Sequence, residues 1–255
     1  MNSTVGAASV ISLALLAGCA PDAVRPDGVT LENNPFVKLP RAQAMLMGGS
    51  VMISTVVDVS TDAAEGFEGL RDGSGYHAWA RSGGATTSIG AFTPGVDLEA
   101  DLAGGADEVL ITVEEGTPSA PSSTVVVSGP ADGALAFGAL DAVSFSGARA
   151  TAYRGDGWLE LDYQGLPDLP EGYRYELWLT PMDDEHQPIG EPISAAGLDT
   201  PPMGTTARYQ DEALPELFDL HVAVEVVGGR AAMSPTQCLQ VPHSHDEHAH
   251  GGHEH

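Results

Sequence analysis

Six of the nine histidines fall within the last thirteen residues, HSHDEHAHGGHEH. They are His243, His245, His248, His250, His253 and His255, interleaved with Asp246, Glu247 and Glu254. Neutral imidazole is the commonest transition-metal ligand, and Zn²⁺, Cu²⁺ and Ni²⁺ all accept mixed nitrogen and carboxylate shells. His-x-His pairs on an unstructured segment can wrap about one or two ions without a preformed site, with ordering entropy keeping affinity moderate and selectivity poor. The composition therefore predicts a tail that captures or senses Zn, Cu or Ni, metals that the fold itself does not require. A solvated terminus with no metal role and a purification tag are the competing readings. Alternation of the histidines, in place of an uninterrupted run, argues against a tag.

At the other end, Val5 to Ala20 is an almost unbroken apolar or small stretch, VGAASVISLALLAGCA. Its apolar run is too short to span a bilayer and reads as a signal-peptide core. It ends in Leu16-Ala17-Gly18-Cys19, which resembles the bacterial lipobox, so Cys19 is the expected site of diacylglycerol attachment. MNSTVG carries no Lys or Arg, a departure from the usual n-region, and a plain secretory signal or short anchor helix is the alternative. Ala20 after the cysteine leaves transport to the outer membrane open, on the periplasmic side or at the cell surface. If Cys19 is acylated, Cys238 has no disulfide partner, and stability must come from core burial.

No other combination carries recognisable chemistry. Gly-x-Ser-x-Gly, His-Glu-x-x-His, a phosphate-binding glycine loop and a Cys/His nucleophile pair are all missing from the sequence. No catalytic or cofactor-binding residue is assigned, and a non-enzymatic role is expected. Cys238, on an apolar final segment, reads as a small hydrophobe. His77, His186 and His221 stand alone and read as structural, although Asp183, Asp184 and Glu185 give His186 the makings of a weak surface cation site.

The 255 residues carry 36 acidic and 10 basic side chains, a net charge of −26, and the single lysine is Lys38. Such a surface repels phosphate backbones and anionic lipid, so nucleic acid is excluded as a partner. It also resembles the surfaces of proteins that stay soluble in high salt. Hydrophobic residues at 42% supply a real core, and 31 glycines with 18 prolines suit short strands and turns better than long helices.

The elements that hold these residues repeat. Arg41 opens RAQAMLMGGSVMISTVVDV and Arg149 opens RATAYRGDGWLELDYQGL, each an apolar segment, a glycine turn and a second alternating segment. Tyr76 and Trp79 match Tyr175 and Trp178, Ile89-Gly90 matches Ile189-Gly190, and Glu114 matches Glu225. Ala120-Pro121-Ser122 and Ser234-Pro235-Thr236 each precede a last apolar strand. The Trp-to-Glu spacing is 35 residues in one copy and 47 in the other, a difference expected of loops. The pattern predicts an all-β protein of two tandem antiparallel Ig-like β-sandwiches. The expected boundaries are a signal peptide at 1–18, a flexible tether at 19–40, sandwiches at 41–130 and 131–242, and a tail at 243–255. Trp79 and Trp178 are expected to anchor the two layers of each sandwich. Glu114 and Glu225 are expected to face outward, the alternative being that each accepts backbone N–H bonds at a sheet edge.

The second copy resembles the extracytoplasmic C-terminal domain of the anti-sigma-K factor family. Leu166-Pro167, Tyr175, Trp178-Leu179, Glu225, Gly228-Gly229 and Pro235-Thr236 carry the resemblance over about 150–241, and 41–129 shares it more faintly. The family adds a cytoplasmic sigma-binding domain and a spanning helix that this sequence does not contain, so sigma-factor binding is not expected. The sequence thus points to an envelope lipoprotein with anti-sigma-factor-like domains and a metal-binding tail, held to the membrane through Cys19. The alternative is a structural or protein-interaction module of the envelope, with an envelope protein as partner.

Overall fold

Glycine turns fall where the alternation of apolar residues predicts them. Gly48 and Gly49 adopt φ of 59° and 110°, values that favour glycine, and let Met47 pair with Ser50. Gly157, at φ 69°, does the same between Gly155 and Trp158. The computed structural model describes residues 28–242, apart from 56, 59–62, 65, 199–204, 212–213, 228–232 and 235. The chain is all-β, and a 3-10 turn at Ala142–Phe145 is the sole helical element among the described residues.

The strands, in chain order, are β1 (Val29–Asn33), β2 (Arg41–Met47), β3 (Ser50–Thr55), β4 (Val57–Asp58), β5 (Ala63–Ala64), β6 (Ser74–Ser82), β7 (Ala85–Phe92), β8 (Leu98–Asp101) and β9 (Glu108–Glu115). They continue as β10 (Val125–Pro130), β11 (Gly133–Ala136), β12 (Arg149–Gly155), β13 (Trp158–Gln164), β14 (Tyr173–Pro181), β15 (Ile193–Leu198), β16 (Thr205–Gln210), β17 (Phe218–Val226) and β18 (Gln237–Gln240). Apart from the small β4–β5 ribbon, they form two eight-stranded antiparallel sheets. The first runs β7-β6-β9-β10-β11-β2-β3-β8 and the second β15-β14-β17-β18-β1-β12-β13-β16. The outer strands of each sheet also approach one another, β7 with β8 and β15 with β16, so each sheet curls over its own apolar core.

Position for position the two orders agree, with one exception to chain order. Where the first sheet places β11, directly after β10, the second places β1, from the opposite end of the chain. Leu31 of β1 pairs with Ala150, as Leu135 of β11 pairs with Ala42, and both leucines are fully buried. The segment after β1 is held too: the Thr236 hydroxyl donates to Lys38 O at 2.7 Å, and Val37 and Leu39 are buried in the second core. Residues 19–40 are therefore not a tether throughout, because from Val29 onward they complete a sheet built mainly by the far end of the chain. Likewise, a division at residue 130 cuts β11 away from the first sheet, which it closes. Apolar area on Leu31, Val37 and Leu39 favours burial over solvation by about 1.5–3 kcal/mol per large side chain, which a free tether would forfeit.

Candidate functional site

Two residues with chemical potential, Glu114 on β9 and Glu225 on β17, are buried, at 8% and 0% exposure. The expectation that they face outward into solvent is overturned. Glu225 Oε1 accepts from the indole Nε1 of Trp178 at 2.8 Å and from the backbone N–H of Ser234 at 2.9 Å. Glu114 Oε1 accepts from Ser122 N at 2.7 Å and from the Thr112 hydroxyl, which in turn accepts from Trp79 Nε1 at 2.9 Å. In each sheet a buried carboxylate thus ties an indole to the loop that leads into the next strand. Trp79 and Trp178 lie outside the two apolar cores, so they do not anchor opposing layers; each is buried under that loop on the other face of its sheet. This is architecture, since Oε1 of each carboxylate accepts two hydrogen bonds from within the fold and burial closes both groups to solvent.

Other details recur at a constant offset of 99 residues. Tyr76 OH donates to Glu68 O and Tyr175 OH to Pro167 O, at 2.9 and 2.7 Å. Burial raises the pKa of both tyrosines, so both phenols stay protonated. Gly66 and Gly165 share a positive φ, and a Cβ on either would run into the backbone of Leu39–Pro40 or of Gly147–Ala148. A bulge sits before Trp79 in one sheet and before Trp178 in the other. The Ile-Gly pairs do not correspond: Gly90 pairs within β7, whereas Ile189 is exposed in a loop and Gly190 precedes β15.

An apolar cavity of about 440 Å³ opens at one end of the second sheet. Val29, Ala152, Leu159, Leu220 and Val241 line it, with Arg154, Met182 and His186 beside them. Arg154 does not offer its charge to the space: Nη2 donates to Pro215 O at 2.9 Å, Nη1 donates to Glu216 O, and the guanidinium stacks on Phe218 at 5.0 Å. The cavity has a topological origin. In the first sheet the turn Ala131–Asp132 joins β10 to β11, and Ala131 is buried in that core. In the second sheet the matching strand ends, at Val29 and Val241, are not joined, because they lead to the two ends of the chain. At the opposite end of this sheet the Val226 N–H donates to Glu68 Oε1 at 3.1 Å, linking it to the first.

Cys19 and His243, His245, His248, His250, His253 and His255 lie outside the described residues. The scattered histidines fall in three different places. His77 bonds Ser88 Oγ through Nε2 at 2.8 Å and its ring lies tilted against that of Trp79, centroids 4.6 Å apart; burial lowers its pKa, with Glu114 pulling the other way. His221 sits 3.3 Å from Asp219, and His186 lies in a loop at φ 57° where Asp183 caps the backbone of Glu185 and Gln187. Among the described residues no cluster of three or more His, Cys, Asp or Glu side chains is arranged to hold a metal, and no helix is long and apolar enough to cross a membrane. Cys238 is fully buried, its thiol donating to Val222 O, and desolvation raises its pKa, which suppresses the thiolate. Sequence reasoning missed the cavity, since its walls come from segments as far apart as Val29 and Val241. Compared with protein-family models, with curated proteins and with solved structures, the chain matches none.

Proposed function

We propose that this chain is a non-enzymatic lipoprotein of the bacterial envelope, anchored through Cys19, whose histidine-rich tail binds Zn, Cu or Ni for capture or sensing. Its two sheets are then duplicated Ig-like sandwiches of the anti-sigma-K extracytoplasmic type, a reading supported by the matching strand orders, tyrosine hydrogen bonds and Trp–Glu pairs. The observation that carries the functional reading is the pairing of β1 with β18. Antiparallel pairing places Val29 and Val241 at the same end of the second sheet, so the acylated end and the metal-binding end leave the fold together. Residues 20–28 separate the proposed anchor at Cys19 from β1, and two residues separate the end of β18 from the stretch that begins at His243.

Calorimetric titration of Zn²⁺ and Cu²⁺ into the full chain and into a form lacking 243–255 tests the tail. Metal uptake should vanish with the deletion and should weaken below about pH 6.5, where imidazoles protonate. Uptake unchanged by the deletion would remove the reading. Mass spectrometry of the mature N-terminus tests the anchor, and an unmodified Cys19 would refute it. A second reading, a protein-interaction module of the envelope, draws on the apolar cavity and the exposed Val29, Ile189 and Leu217.

A further inference from the structure

We propose that the β2–β3 hairpin carries a metal site of a different class, for a soft monovalent cation such as Cu(I), built from the thioethers of Met45, Met47 and Met52. It does not depend on the tail. The three residues share one face: Met45 stands directly opposite Met52, and Met47, two residues further along β2, stands opposite Ser50. Ala42 and Ala44 alternate with the methionines of β2 and are buried in the first core, so the thioethers lie on the outer surface. Met45 and Met47 are 37% and 46% exposed, open to an ion from solution. Directly opposed residues place their Cβ atoms about 5 Å apart, and neighbours two along a strand are about 7 Å apart. Unbranched side chains with three rotatable bonds close such gaps easily, so three sulfurs can meet on one ion.

The row continues onto β8 with negative charge. Glu99 pairs with Met52 and Asp101 with Ser50, while the Ser50 hydroxyl donates to Met47 O at 3.0 Å and contacts Glu99 Oε1 at 3.5 Å. Carboxylates beside the sulfurs raise the local concentration of cations, and thioethers select Cu(I) over Zn²⁺ or Ni²⁺. The turn itself does not demand sulfur. In the second sheet the corresponding hairpin closes with Tyr153 opposite Glu160 and Gly155 opposite Trp158. An exposed apolar patch would be served equally by leucine, which is what the test exploits.

Ag(I) is the probe, a redox-silent counterpart of Cu(I), added in chloride-free buffer to the full chain labelled at methionine methyl carbons. The methyl resonances of Met45, Met47 and Met52 should move together along one saturating curve. A Met45→Leu/Met47→Leu/Met52→Leu variant should bind one Ag(I) fewer while its Zn²⁺ uptake, which reports the tail, stays unchanged. Met52→Leu alone should weaken the response of the remaining two methyls at least about tenfold, since even outer partners of a metal ligand are worth that much. Three methyls that stay put, or that move with separate midpoints, would overturn the site. Loss of Zn²⁺ uptake with an intact methyl response would strike at the tail alone.

Discussion

In the first sheet the indole of Trp79 reaches Glu114 through the hydroxyl of Thr112, whereas in the second Trp178 donates to Glu225 with no hydroxyl between them. The register explains the difference: Thr112 pairs with His77 and Ala223 with Glu176, so alanine stands in the second sheet where threonine stands in the first. Beside them the His77–Ser88 contact of the first sheet is replaced by a buried Glu176 that accepts from Ser194 and sits 2.8 Å from Arg174 Nε. The shared scaffold therefore fixes where polar groups are buried but leaves open which groups satisfy them. The same holds at the sheet ends. A turn plugged by Ala131 closes one, and two unconnected strand ends leave a cavity in the other.

The correspondence is most exposed to failure at β1. Leu31→Ala should cost roughly 3–4 kcal/mol in urea denaturation, the usual range for a leucine cavity, and Leu135→Ala should match it within about 1 kcal/mol. A near-silent Leu31→Ala would mean that β1 is dispensable and that the two sheets are not equivalent. Next in size, Glu225→Ala strands the buried indole and the Ser234 N–H and should cost about 3 kcal/mol, whereas Glu114→Ala leaves Trp79 bonded to Thr112 and should cost about half as much. Equal losses would show that the threonine relay carries no weight. Thr112→Ala converts the first arrangement toward the second and should cost about 1 kcal/mol, measured the same way.

The smallest effect is a pH dependence confined to the first sheet. His77 has its pKa lowered by desolvation, only partly opposed by Glu114, so the folded state disfavours the imidazolium. Its contribution to stability is complete above the ordinary imidazole value near 6.5 and is lost as pH falls through the lowered folded value. His77→Gln should flatten that slope. A slope that persists in the variant would assign it to another group.

Much of this was legible in the chain. The Gly48-Gly49 and Asp156-Gly157 turns, the alternation of Trp158, Glu160 and Asp162 with buried Leu159, Leu161 and Tyr163, and the Tyr–Trp pairs all follow from local period and turn chemistry. The orientation of Glu114 and Glu225 was not legible, because a glutamate in an apolar strand looks the same whether solvent or an indole faces it. Their backbone donors, Ser122 and Ser234, sit 8 and 9 residues downstream, in loops whose return path is not written in the strand itself. Residues 34–40 likewise carry no periodicity, and their burial depends on β18, some two hundred residues away.

Amino-acid order alone settled that strands would form, which side chains alternate inward, and where the chain must turn, since those depend on backbone sterics within a few residues. Which sheet receives β1 and which receives β11 was a matter for the folded molecule. Each sheet has one gap, and a strand goes wherever its backbone hydrogen bonds and its one buried leucine are satisfied together. That choice brings Val29 and Val241 to one end of the second sheet and opens the cavity beside them, while the methionine hairpin belongs to the first sheet.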